Sequence, residues 1–259
     1  MNGLVAADIG NSSIKLGWFS SVDQDCPTPE RVATFTVDQI GSSKWNASVT
    51  TDETIPATWV TASVNQSAAY KLHQWVDRQQ HQRMQLTHES LDLATAIPSP
   101  ERAGIDRLLA AVAVNQLRMP QSGAIIVDSG TAITVDAVDA SGVFQGGAIL
   151  PGIHLSAKSL SDGTDQLPLL EIPETGMACP PSIGKDTAAA ITSGVYWGSL
   201  GGVKELIASQ IELLNCDSVS IYVSGGNLPW VELLGEHVER HASLVLSGIA
   251  ITAKEMLNV

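Results

Sequence analysis

The chain has 259 residues, 44% of them hydrophobic, a mean hydropathy of +0.13 and a net charge of −13 at pH 7. That suffices for one large domain or two modest ones with proper cores, and it is too apolar for a disordered chain. With 14 Lys and Arg against 27 Asp and Glu, nucleic acid is a poor partner, and an anionic ligand needs metal ions or backbone dipoles to be held. The opening MNGLVAADIG has no basic segment and reaches Asp8 at once, so it does not read as a signal peptide. No apolar run approaches the ~20 residues that cross a bilayer. Cys26, Cys179 and Cys216 are scattered without CxxC spacing, which fits reduced thiols in a cytoplasmic setting.

Leu4 to Ala7 reads as a strand that runs into Asp8-Ile9-Gly10-Asn11, after which Ile14, Leu16 and Trp18 alternate as a second strand. Strands are expected over Val32–Val37 and Ile55–Ser63, with a polar loop from Ser42 to Thr54 between them. From Gln66 to Gln80, Ala69, Leu72, Trp75 and Val76 follow helical spacing. His73, His81 and His88 in this region read as solvated surface. Pro98-Ser99-Pro100 breaks the chain before Gly104-Ile105-Asp106-Arg107, where a helix running to about Arg118 begins. Asp106 and Arg107 lie in its first turn. Two readings of that pair stay open: a dipole-stabilising acid with a solvated neighbour, or a base beside an anion-binding guanidinium.

Ile125 to Asp128 repeats the strand-Asp ending, and Ser129-Gly130-Thr131 leads into Ile133, Val135 and Ala137 at period two. Asp128 and Gly130 each follow Asp8 and Gly10 by 120 positions, which reads as a pseudo-duplication with halves of residues 1–118 and 119–259. Val143 to Leu150 is a further strand, and Pro151-Gly152 opens a helix through Leu160. Ser161 to Pro181 is long and irregular, a pattern common in substrate covers. Gly184-Lys185-Asp186-Thr187 introduces a helix with a small-residue face from Ala189 to Gly198. It is not a P-loop, because Asp186 stands where Ser or Thr must follow the lysine and position 179 is Cys. Val219 to Val223 is a buried strand carrying Ser224-Gly225-Gly226-Asn227 at its carboxyl end, where α/β proteins gather ligands. His237 and His241 are expected on a helix surface, and a final helix from Gly248 to Leu257 is expected to pack across the second half.

DIGNSSIK, GIDR, VDSGTAITVDAV, GGAILPG, GKDT and SGGN, in that order, resemble the type III pantothenate kinases of the acetate and sugar kinase, Hsp70 and actin superfamily. The resemblance implies an α/β fold of two ribonuclease H-like domains with nucleotide in the cleft between them. The implied activity is ATP-dependent phosphorylation of the primary hydroxyl of pantothenate, the first step of coenzyme A biosynthesis, by a cytoplasmic homodimer that binds neither nucleic acid nor membrane. The alternatives are a non-catalytic regulatory relative, or a superfamily kinase with another small acceptor.

By the same resemblance, Asp8, Ile9, Gly10, Asn11, Ser12, Ser13, Ile14 and Lys15 form the first phosphate loop, with Asp8 toward Mg2+. Thr131 is a second phosphate contact, and Gly225 and Gly226 lie at the adenosine group. Asp128 holds a monovalent cation, K+ or NH4+. Gly104, Ile105, Asp106 and Arg107 form the pantothenate site, with Asp106 as catalytic base and Thr187 as a further substrate contact. Ile97 stands where family members usually carry a substrate-contacting Tyr, and the first loop reads Asn-Ser-Ser where Asn-Thr-Asn is more usual.

Overall fold

A computed structural model describes residues 3–49, 58–172, 178–226, 228–235 and 238–257. They fall into two compact units, one drawn from Met1–Leu117 and Ser243–Val259, the other from Arg118–Ala242.

The first unit runs β1 (Leu4–Ile9), β2 (Ser13–Phe19), β3 (Arg31–Thr36), α1 (Ser43–Val49), β4 (Thr58–Ser63), α2 (Gln66–Arg78), β5 (Gln82–Gln85) and α3 (Ile105–Leu117). Its sheet has the order β3-β2-β1-β4-β5, antiparallel across the two hairpins and parallel from β1 to β4 to β5. The second unit runs β6 (Gly123–Ser129), β7 (Ala132–Val138), β8 (Phe144–Pro151), α4 (Ile153–Asp162), α5 (Thr187–Leu214), β9 (Val219–Gly225) and β10 (Val238–Arg240). Read from β8, its sheet is β8-β7-β6-β9-β10, with the same sequence of antiparallel and parallel pairings. Each unit is thus a ribonuclease H-like sheet, and the duplication read from the Asp-x-Gly turns extends to every strand. The last helix, α6 (Leu244–Met256), returns to the first unit.

One face of the first sheet buries Val5, Ala7, Ile9, Ile14 and Leu16 against α1 and α2. Trp45, Trp59 and Trp75 meet there edge-on, with centroids 5.4 and 5.5 Å apart, a packing that adds to their area burial. In the second unit, Ile125, Val127, Ile133, Val135 and Val223 pack against Tyr196, Leu200, Val203 and Ile207 of α5.

Four expectations are corrected. Helix α1 forms within the stretch expected to be loop (residues 50–54 lie outside the described ones), because Trp45 and Val49, one turn apart, bury a face against Phe35 and Trp75. His73 is not surface: it lies on the buried face of α2, 9% exposed, with Nε2 3.0 Å from Thr61 Oγ1. His241 follows strand β10 rather than lying on a helix, and its backbone N–H donates to the Val223 carbonyl; His237 lies outside the described residues. Helix α6 packs on α3 and β1 of the first unit, not across the second half. The reason is at Gly248, where the Leu109 carbonyl of α3 comes so close that any Cβ would overlap it.

Candidate active site

In the first hairpin, buried Ile9 and Ile14 pair across the ladder and anchor the turn between them. Gly10 closes it by donating its N–H to the Ser13 carbonyl at 2.9 Å, and Asn11 and Ser12 lie exposed at the tip. Asp8 is half-buried and directly opposite Lys15, so both side chains project from one face. Hydroxyls, backbone N–H groups and an ammonium gathered at one turn suit a phosphate chain.

The second hairpin repeats the closure: Gly130 donates to the Ala132 carbonyl at 2.9 Å, with Asp128 half-buried and Thr131 exposed. Two more backbones meet this turn. Gly152, the N-cap of α4, donates to the Thr131 carbonyl at 3.0 Å, and Gly226 donates to the Ser129 carbonyl at 2.7 Å. Gly225 has φ +89°, and a Cβ there would overlap the Ser129 backbone, so only glycine lets β9 end against this turn. The predicted adenosine residues Gly225 and Gly226 are therefore brought to the turn that carries Thr131. Asn227 lies outside the described residues.

Helix α3 lies against β4, the neighbour of β1. At its start the Gly104 carbonyl accepts from the Arg107 N–H at 3.1 Å, and Asp106 Oδ1 accepts from the same N–H at 2.9 Å. A side chain at position 104 would strike Asp106 Oδ1, so Gly104 is needed for that carboxylate to lie as it does. Asp106 and Arg107 are both half-buried. Thr187 is the exposed first residue of α5, on an element separate from the second turn. Asp186 is that helix's N-cap, accepting the Ala189 N–H at 2.8 Å, which gives the residue after Lys185 a structural role and removes any P-loop reading.

Among the described residues no three His, Cys, Asp or Glu side chains cluster as a metal site. Thr134 Oγ1, opposite Asp128 in the ladder, is buried and has no hydrogen-bond partner. Thr134 and the buried Asp136 alternate along β7 with the apolar Ile133, Val135 and Ala137, which places both on the Asp128 face, although the sequence pattern alone assigns neither a role.

A family model for type III pantothenate kinase matches residues 4–209. The chain belongs to the type III pantothenate kinase family. Relatives bearing that family name include one from Rhodopirellula baltica, 41% identical over 150 residues, covering 56% of this chain and 54% of the relative. Another, from Legionella pneumophila, is 38% identical over 156 residues, covering 60% and 59%. The matched region thus spans somewhat more than half the length of these curated relatives. Among solved structures, a Campylobacter jejuni protein described as a Baf family transcriptional activator has a TM-score of 0.62 at 20% identity, covering 98% of this chain and all of that one. A Clostridium difficile activator of 2-hydroxyisocaproyl-CoA dehydratase, with bound ADPNP, has a TM-score of 0.50 at 11% identity, covering 99% and 98%. These likenesses concern the fold.

Proposed function

We propose that the protein phosphorylates the primary hydroxyl of pantothenate with ATP, the first step of coenzyme A biosynthesis. Family membership supports this reading, and the observation that carries it is that each unit holds a carboxylate-ended, glycine-closed hairpin, the first unit adding the Gly104–Arg107 helix start. Phosphoryl transfer needs positioning and charge neutralisation more than covalent chemistry, and the residues suit that division of labour.

The Gly10–Ser13 turn, with Lys15 beside it, receives phosphate oxygens through N–H and hydroxyl donors, and Thr131 adds a hydroxyl from the second turn. Gly225 and Gly226, lacking side chains, leave room for the adenosine. Arg107 binds the pantothenate carboxylate, and Asp106 accepts the proton of the attacking hydroxyl. Thr187 is a further acceptor contact. Mg2+ at Asp8 and a monovalent cation at Asp128 supply neutralisation of the triphosphate, which a chain of net charge −13 otherwise repels.

We place the protein in the cytoplasm as a homodimer. No described helix is long and apolar enough to cross a membrane. The small-residue face of α5 supports association, since positions 194, 198 and 201 are glycines with open space where a Cβ would stand. Gly194 and Gly198 also line a cavity of about 310 Å³ between α4 and α5, together with Ser156, Leu160 and Val195.

The test is ATP consumption with pantothenate, sugars and acetate as acceptors, each with and without potassium. Turnover with pantothenate that rises with potassium is expected. Turnover with a sugar or acetate instead, or with no acceptor at all, overturns the assignment.

A further inference from the structure

Thr134 on β7 pairs with Asp128 on β6, and Asp128 in turn pairs with Ser224 on β9. Val127, Ile133, Val135 and Val223, their neighbours in sequence, all belong to the apolar core against α5. The three oxygen-bearing side chains therefore form one row on the opposite face, about 5 Å apart strand to strand. Ser224 is 4% exposed, and Thr134 Oγ1 is one of five buried side-chain polar atoms without a hydrogen-bond partner among the described residues. An unsatisfied buried hydroxyl is costly, so one beside a carboxylate needs a reason. Asp136, next along the same face, does not crowd the row: its Oδ1 lies over β8, in the space left by the missing side chain of Gly147.

The first unit shows what is different here. The corresponding row there is Lys15–Asp8–Ala62. Lys15 supplies a built-in cation beside Asp8, whereas at the same ladder position Asp128 has the neutral hydroxyl of Thr134, and Ser224 replaces Ala62. One carboxylate flanked by two neutral hard oxygens suits an ion of low charge, and neither ladder partner of Asp128 is a lysine that could supply it.

We propose that Thr134 and Ser224 are oxygen ligands of a monovalent cation at Asp128, and that this ion stands where Lys15 stands in the first half. The proposal deepens the pantothenate kinase reading and rests on it only for the consequence in catalysis, because cation binding is measured on the free protein.

The experiment is thermal unfolding of the substrate-free protein in KCl against tetramethylammonium chloride at equal ionic strength, paired with thallium(I) NMR. Wild type should gain melting temperature saturably with K+ and show a bound thallium signal. Thr134→Val should melt no lower than wild type in tetramethylammonium, since an orphaned hydroxyl is gone. It should also need at least about tenfold more K+ for half its effect, the low end for loss of a supporting metal contact. Thr134→Ser should respond as wild type does. If Thr134→Val does not fold, Ser224→Ala carries the same expectation of weakened K+ response. Equal melting of wild type in both salts, or an unchanged half-saturation in the folded variant, overturns the proposal. K+ binding as described without pantothenate phosphorylation would sink the functional reading and leave this one standing.

Discussion

Asp8 and Asp128 are each the penultimate residue of the first strand in their sheets, and each is followed by a turn that a glycine N–H closes. Their neighbours differ: Lys15 lies across from Asp8, Thr134 across from Asp128. The two carboxylates should therefore fail differently. Asp8→Asn should lower kcat/KM by about 10²–10³-fold at every potassium concentration, the usual cost of losing a preorganised electrostatic group. Asp128→Asn should instead flatten the potassium dependence. Steady-state kinetics across a potassium series separates them, and identical profiles for the two variants contradict the asymmetry.

Asp106 has a structural and a proposed chemical role, and one substitution divides them. Asparagine keeps an Oδ1 that accepts the Arg107 N–H, so Asp106→Asn should leave the start of α3 and the melting temperature nearly unchanged. As a base it is lost, and kcat should fall about 10²–10⁴-fold. Arg107→Lys should raise KM for pantothenate more than it lowers kcat, because an ammonium cannot grip a carboxylate with two parallel bonds. A full-rate Asp106→Asn enzyme ends the general-base assignment.

The duplication is legible in the sequence because a hairpin of this kind is local: a strand, Asp-x-Gly and a second strand occupy a dozen residues, with alternation to mark the faces. The start of α3 is legible for the same reason, since Pro98 and Pro100 precede it and Ile105, Leu108, Leu109 and Val112 follow with helical period. What escapes notice is set by distant partners. Nothing local says that His73 meets Thr61, that Gly225 must clear the Ser129 backbone, or that Thr134 stands in a row with Asp128 and Ser224. Helix α6 is the clearest case. Its hydrophobic pattern announces a buried helix, but its address in the first unit depends on Gly248 fitting the Leu109 carbonyl.

That fit makes Gly248 the position where the C-terminal helix is most easily dislodged. In Gly248→Ala the new Cβ overlaps backbone of α3, which cannot swing aside as a flexible side chain does. Overpacking of this kind costs about 1–3 kcal/mol, and intrinsic helix propensity returns at most about 1. Urea unfolding should show net destabilisation, with Gly198→Ala on α5, where nothing stands in the way, as the matched control. Equal stability of the two variants means that α6 does not depend on close approach to α3.

His73 gives the first unit a dependence on pH. Thr61 Oγ1 donates to the Met84 carbonyl at 3.3 Å, so its lone pair is what faces His73, and Nε2 is assigned as the ring nitrogen that carries the proton. Burial, first, and the nearby Arg83, second, hold the imidazole below its ordinary value of 6.5, while Asp77 pulls weakly the other way. In the unfolded chain the same ring takes up a proton near pH 6.5; in the folded unit it does so only at lower pH. Between those two values the unfolded state binds more protons, so stability falls as pH falls through that window and is fully present above it. The slope from one such group is at most about 1.4 kcal/mol per pH unit. Gln at position 73 retains an N–H to donate to Thr61 but does not titrate. Between pH 7 and 5.5, His73→Gln should lose less stability in urea unfolding than wild type. Parallel curves would mean that the buried ring takes up its proton equally in both states, and the Thr61 contact would then carry no linkage to pH.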